Sequence, residues 1–353
     1  MSWDRRMLAA VATVVLVSFP PALAQQTRPP ENTPPATKPE WTDLSVQPAE
    51  TPPVSSVSSF PEIKISNYIS CSIGDLQHAV PELSHLKPDT DQSQLTPLLD
   101  KIGAKIIDIA DKTPNLISHE EVLTVQARVK ARQDFSFLVL QHASSQGRVF
   151  DEYRVDVKTG EKFQTEMLEK GRVADSSPDR TSLAELATAS QSMAQSGAGP
   201  SSQGFVNNWL AFHPSNRKQS DFRYLGEEKM DGHRMLVVAF AQKHGHVPLP
   251  SMVEVDGKTY QIFMQGIAWV DPTDFKILRL REDILAPPPG VPLLRQLSSD
   301  VQFMQATIAE LPSSLWLPRE VVITSHLSGN VLRETHTYSN YRLFRARSKL
   351  VLK

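Results

Sequence analysis

From residue 222 onward the chain is cut repeatedly by turn signals. Asp231-Gly232, Asp256-Gly257, Asp271-Pro272-Thr273-Asp274 and Ser328-Gly329-Asn330 each separate two runs rich in β-branched and aromatic residues. Such spacing favours hairpins, because Asp-Gly and related pairs accept the positive backbone angles of a tight antiparallel connection. The predicted pairs are 222–228 with 233–242, 252–255 with Tyr260 onward, and a strand ending at Val270 with 275–282. In the third, Pro272 presets its own dihedral and Asp271 can accept bonds from backbone amides. Residues 285–295, with Pro287-Pro288-Pro289-Gly290, read as a loop. Further strands are predicted at 301–309, 321–327 and 331–338. In a last strand Phe344, Ala346, Ser348, Leu350 and Leu352 face away from Arg345, Arg347, Lys349 and Lys353.

The first half carries a different period. Leu95, Leu98, Leu99, Ile102, Ile106 and Ile109 recur at helical spacing, predicting a helix over 91–112 that Thr113-Pro114 ends. Leu123, Val125, Ala127 and Val129 then alternate with Thr124, Gln126, Arg128 and Lys130, predicting a half-buried strand over 123–130. Strands follow at 135–141 and 149–157, the latter turning at Thr159-Gly160. Residues 170–203 are small and polar and read as a flexible insertion. A short helix over 203–212 carries Phe205, Trp209, Leu210 and Phe212.

Ahead of these elements lies an export signal. Arg5 and Arg6 precede a 13-residue apolar run, Met7 to Phe19, and Ala22-Leu23-Ala24 supplies a small-residue cleavage site before Gln25. The run is shorter than the roughly 20 residues that span a bilayer, so residues 1–24 read as a cleaved signal peptide, not an anchor. Position 25 is Gln and the single cysteine is Cys71, which argues against a lipid-modified N-terminus and rules out an internal disulfide. Cleavage leaves a net charge of about −3, which points away from nucleic acid. Residues 25–60 hold eight prolines and few large apolar residues, and read as a disordered tether. The expected location is periplasmic or secreted. Residues 61–353 are expected to form one β-rich domain.

Two predicted strands are apolar at both parities. Met235, Val237 and Ala239 oppose Leu236, Val238 and Phe240, while Ile262, Met264, Ala268 and Val270 oppose Phe263, Ile267 and Trp269. A sheet apolar on both sides must be covered on both sides. The helix at 91–112 is expected to cover one face, and the sheet curving onto itself the other.

The signal peptide, the early long helix, the antiparallel strands and the pair built on Ala268-Trp269-Val270-Asp271-Pro272-Thr273 resemble the outer-membrane lipoprotein carrier fold. Tyr224-Leu225-Gly226-Glu227-Glu228, Met230-Asp231-Gly232-His233 and Tyr338-Ser339-Asn340-Tyr341-Arg342 are similar to stretches of exported proteins from soil bacteria. The resemblance implies an α+β, mostly antiparallel fold: a curved, open half-barrel sheet capped by one long and several short helices. It also implies that a lipid-like ligand, a lipoprotein acyl chain or an envelope protein occupies the concavity. Phe240, Phe263, Ile267 and Trp269 are the expected lining. The alternative is an envelope sensor or structural interaction protein with a filled core and no small ligand.

Motifs for chemistry are weak. His244-Gly245-His246 lacks a third metal ligand nearby, and His119-Glu120-Glu121 lacks the second histidine of a zinc-protease helix and reads as a polar loop entering a strand at Val122. Gly197-Ala198-Gly199-Pro200 is not a phosphate loop, no nucleophile elbow occurs, and Glu227 and Glu228 would face opposite ways on a strand. No catalytic residue, metal or cofactor is therefore assigned. An exported hydrolase remains as a third reading, because sequence does not place histidines and carboxylates in space. Arg342, Arg345, Arg347 and Lys349 form a basic surface suited to guarding a sheet edge or meeting anionic headgroups.

Overall fold

A computed structural model describes residues 67–160, 188, 190 and 205–344, apart from 128, 145, 146, 246–250, 256 and 257. The expected signal peptide (1–24), the tether (25–60), the last strand from Arg345 onward and, save Thr188 and Ser190, the insertion 170–203 lie outside the described residues.

Among the described residues thirteen strands follow in chain order: β1 Lys87–Pro88, β2 Leu116–Gln126, β3 Val129–Ser144, β4 Gly147–Asp156, β5 Ser220–Met230, β6 His233–Gln242, β7 Ser251–Val255, β8 Lys258–Ile262, β9 Met264–Val270, β10 Ile277–Ile284, β11 Leu294–Ala306, β12 Leu315–Leu327 and β13 Asn330–Leu343. Eleven form one sheet in the order β1-β5-β6-β9-β10-β11-β12-β13-β2-β3-β4, and β7 and β8 form a separate ribbon. All pairings are antiparallel.

Helix α1 (Ile73–Ala79), helix α2 (Leu95–Lys112) and the 3₁₀ segments η1 (Pro81–Leu83) and η2 (Phe205–Phe212) complete the elements that shape the site. Helix α2 touches β4 at one edge of the sheet and β5 near the other. Nine strand spacings separate them, roughly 43 Å if laid flat, whereas a helix with side chains is only about 10–12 Å across. The sheet must therefore curl around α2. Edge strands β1 and β4 stay unpaired with one another among the described residues, so the curl is an open half-barrel.

The hairpins predicted in the second half are present. Asp231 and Gly232 take φ 52 and 82 between β5 and β6, and Asp271 accepts from the amides of Thr273 and Asp274 between β9 and β10. Thr113 ends α2, its hydroxyl and amide both donating to the Ile109 carbonyl.

The run 123–130 is not one strand. It is the end of β2, a turn at Ala127 and the start of β3, with Gln126 paired to Val129. The turn reverses the alternation, so that Val129 shares the face of Gln126 and not that of Leu123, and Ala127 adopts φ 51 without the Gly or Asn that usually marks such a site. Leu123 and Val129 are exposed rather than half-buried. Residues 157–160 are helical, not a turn, and β11 begins at Leu294, earlier than expected.

Both faces of β6 and β9 are covered, the inner one by the expected helix and the outer one not by the sheet itself. The inner face packs on α2 and η2. The outer face is covered by residues 68–86, with Tyr68, Leu76, Val80, Leu83 and Leu86 packed on Leu225, Met235, Val237, Ile267 and Trp269. That strap lies in a stretch with no strong sequence period. Polar contacts hold it: Glu82 accepts from Arg279 at 3.1 Å and Arg281 at 3.0 Å, Tyr68 Oη donates to Asp283 at 2.8 Å, and the His85 amide donates to Glu228 at 3.3 Å.

The strap ends at β1, which crosses Gly226 closely. Gly226 sits at φ 123 in a bulge of β5, and a Cβ there would lie 2.1 Å from the Lys87 carbonyl oxygen. Gly226→Ala is expected to cost roughly 1–3 kcal/mol and to detach β1. Hydrogen exchange would show it as lost protection of the Asp89 amide, which donates to the Leu225 carbonyl; unchanged protection would refute it.

Candidate functional site

The inner face of the half-barrel is the site the fold builds. Its apolar side chains come from nearly every strand, including Phe137, Val139, Phe240, Leu280, Val301, Phe303, Val321 and Tyr338. Across it lies η2, whose aromatic residues recur every three or four positions. Phe205 meets the His336 ring of β13 at 5.2 Å, Trp209 stacks on Phe303 of β11 at 5.6 Å, and Phe212 meets Phe240 of β6 at 5.4 Å. Segment η2 thus spans the trough from strand to strand, filling it with rings.

It is tied at one end by polar bonds. Asn207 receives the Phe150 amide at 3.1 Å and donates to the Phe150 carbonyl at 2.6 Å, and the Val206 amide donates to Glu152 at 2.6 Å. Trp209 Nε1 is buried without a hydrogen-bond partner. Burying an unpaired indole N–H is unfavourable, so the plug fills the trough by shape and leaves that donor unsatisfied.

Toward β4 the trough floor turns polar. Glu120, fully buried on β2, accepts from Arg154 Nε at 2.5 Å and Nη2 at 2.7 Å, and lies 2.8 Å from His336 Nδ1. Burial alone would raise the Glu120 carboxyl, but Arg154 and His336 hold it down to about 2. Burial lowers the affinity of His336 for its proton, yet the contact with Glu120 and the nearby Glu334 carboxylate raise it overall. Glu334 lies 3.7 Å from Nε2, an ion-pair distance rather than a hydrogen bond. Both ring nitrogens thus face carboxylates and not a hydroxyl, an arrangement that fixes charge and activates no nucleophile.

This cluster was missed from sequence, where His119-Glu120-Glu121 read as a loop. The three residues lie mid-strand in β2, and alternation turns Glu120 inward while Glu121 meets Arg132 outside. A second inward carboxyl, Glu282 of β10, has Ser299 Oγ 3.4 Å away and is pushed up to about 8 by burial.

A cleft of about 750 Å³ opens where β13 bulges. Asn340, at φ 54, and Tyr341 stand opposite Ser118 in the interrupted β13–β2 register. Ser118, His119, Thr307, Asn340 and Arg342 contribute to its lining.

The four expected lining residues are not brought together. Phe240 faces the trough beside Phe212 and Phe222. Ile267 and Trp269 belong to the outer face under the strap. Phe263 is half-buried at the break between β8 and β9, its ring 4.7 Å from His244. Of the basic surface, Arg342 is exposed at the cleft, and Arg345, Arg347 and Lys349 lie outside the described residues. Among the described residues no cluster of three or more His, Cys, Asp or Glu is placed to hold a metal.

No family model and no curated protein matches the chain. Solved structures to which it is similar include a DUF1329 family protein from Desulfovibrio piger, 12% identical over 73% of this chain and 94% of that one, with a TM-score of 0.33. A putative outer membrane lipoprotein-sorting protein domain from Vibrio parahaemolyticus is 11% identical over 72% and 93%, with a TM-score of 0.32. A LolA superfamily protein from Nitrosomonas europaea is 13% identical over 69% and 93%, with a TM-score of 0.31. The strand order and pairing, not these likenesses, define the fold described above.

Proposed function

We propose that the chain is an exported, non-enzymatic binding protein that takes a lipid-like group or acyl chain into the trough in place of η2. The observation that carries this reading is the plug itself. Three rings on one short 3₁₀ segment lie across a trough that is apolar apart from Glu282 and the cluster around Glu120, and Trp209 does so with its N–H unpaired. An acyl chain offers the same apolar contact and buries no donor. Export rests on the basic, apolar and small-residue pattern of residues 1–24. Among the described residues no helix is long and apolar enough to cross a membrane, a statement that leaves strands aside.

A second reading, an envelope interaction protein with a permanently filled core, is favoured by the completeness of the filling: Phe205, Trp209 and Phe212 are all fully buried. One experiment separates the two. The mature chain from Gln25, folded and never delipidated, is extracted under denaturing conditions for mass spectrometry. In parallel, Trp209→Ala is titrated with a fluorescent fatty acid. The carrier reading expects a stoichiometric acyl species, or roughly tenfold tighter probe binding once the indole is gone. A clean extract together with unchanged probe binding sinks it and leaves the filled-core protein.

A further inference from the structure

Three of the four large apolar side chains exposed among the described residues lie at one end of the sheet: Val129 (66%), Leu293 (54%) and Leu123 (38%). Strand pairing sets them side by side. Gln126 pairs with Val129 in β3 and with Leu332 in β13, Leu327 pairs with Asn330 and Leu294, and the Ser328 amide donates to the Leu293 carbonyl at 3.1 Å. The β2–β3 turn, the Ser328-Gly329 turn and the loop before β11 therefore form one continuous rim, at the end of the sheet opposite the Ser118 cleft.

The β2–β3 hairpin also overhangs its neighbour. Strand β4 pairs with β3 only as far as Asp156 opposite Phe135, so among the described residues 129–134 pair with β2 alone. Alternation puts Leu123 on the face opposite buried Val122, while Val129, across from Gln126, shares the face of Val122. The hairpin tip is apolar on both sides, and half-buried Leu327, Val331 and Leu332 continue the surface toward Leu293.

The charge on this rim has one sign. Segments 122–131, 286–299 and 321–333 contain no Asp or Glu, and Lys130, Arg295 and Arg333 are exposed on them. On the strands beside Lys130 and Arg333, Glu121 meets Arg132, Asp134 meets His119, and Glu334 is buried.

We propose that this rim is a membrane-docking surface for a bilayer carrying anionic lipid, with Leu123, Val129 and Leu293 entering the headgroup boundary and Lys130 and Arg333 meeting lipid phosphates. Projecting apolar side chains gain by leaving water, and each cation near an anionic leaflet adds to the attraction. A second copy of the chain fits less well, because a self-complementary contact would bring like cations together. The rim is independent of what the trough holds, so its test stands whether or not an acyl chain is found there.

The test floats the mature chain with phosphatidylcholine vesicles, with and without phosphatidylglycerol. Binding is expected with phosphatidylglycerol and to weaken as salt is raised. The triple variant Leu123→Ser, Val129→Ser, Leu293→Ser should lose binding by roughly tenfold for each substitution. The pair Lys130→Glu, Arg333→Glu should abolish the preference for phosphatidylglycerol. Thermal unfolding, expected unchanged because all five side chains are exposed or at turns, guards against misfolding, and the charge pair serves alone if the triple variant unfolds. Undiminished binding by the folded variants, or equal binding to both vesicles, overturns the proposal. So does a dimer by light scattering that the triple variant dissolves while neither form floats, which would assign the rim to a second copy.

Discussion

Arg154→Leu is expected to destabilise the fold by about 3–5 kcal/mol, the cost of leaving one member of a buried ion pair alone. Glu120 is fully enclosed and takes both of its strong hydrogen bonds from the Arg154 guanidinium, which also lies 5.9 Å from the Phe135 and Phe137 ring centres. Leucine cannot replace either bond, and His336 Nδ1 is the other contact that the carboxylate keeps. The carboxyl sits near 2 in the folded chain against an ordinary 4.5. A depressed folded value means stability fully present above about 4.5 and lost as pH falls toward 2. In Arg154→Leu that acid-side loss should flatten, because the stranded carboxyl then holds its proton well above 2. Urea unfolding across this range measures both effects. A cost below about 1 kcal/mol would mean that water reaches the pair, since solvated ion pairs contribute little. Glu120→Leu combined with Arg154→Leu should recover much of the loss, because matched apolar replacement removes both desolvated charges together.

Why the sequence showed the hairpins and hid this cluster follows from the range of the signals. Asp231-Gly232 and Asp271-Pro272 act on their own backbone, so their turns can be read from a few residues. The helix spacing of Leu98, Leu99, Ile102, Ile106 and Ile109 is likewise local, and all five are buried in α2. Glu120 and His336 are 216 residues apart, and nothing near either announces the other. The strand itself gives no clue, because Ser118, Thr124 and Gln126 share the inward parity of Glu120 with Leu116 and Val122. Trp269 was misplaced for a related reason. Its strand is apolar on both faces, and only the strap at 68–86, weakly patterned in sequence, decides which side faces the trough.

Stability is expected to fall as pH rises from about 4.5 to 8, with a slope approaching 1.4 kcal/mol per pH unit from one residue, Glu282. Its carboxyl faces the trough between two neighbours that offer little: Gly266, paired across β9 and without a side chain, and Ser299, whose hydroxyl is 3.4 Å away. Burial is the main cause of its raised value, Ser299 opposes it, and Asp283 adds to it. A folded value above the unfolded one means that the native chain keeps a proton the unfolded chain has released. The contribution is full below about 4.5, declines through the interval and levels above about 8. His336 acts with the same sign, because its proton affinity is also raised, but its loss begins only above 6.5, where the unfolded imidazole starts to lose its proton. Glu282→Gln separates the two. Urea midpoints for that variant should be flat from about 4.5 to 6.5 and fall only beyond, while wild type falls throughout. A glutamine variant that keeps the wild-type slope in the lower interval would show that Glu282 ionises freely and that water enters the trough beside Phe240. A flat variant would establish an interior dry enough to hold a neutral carboxylic acid, the condition an acyl chain there also requires.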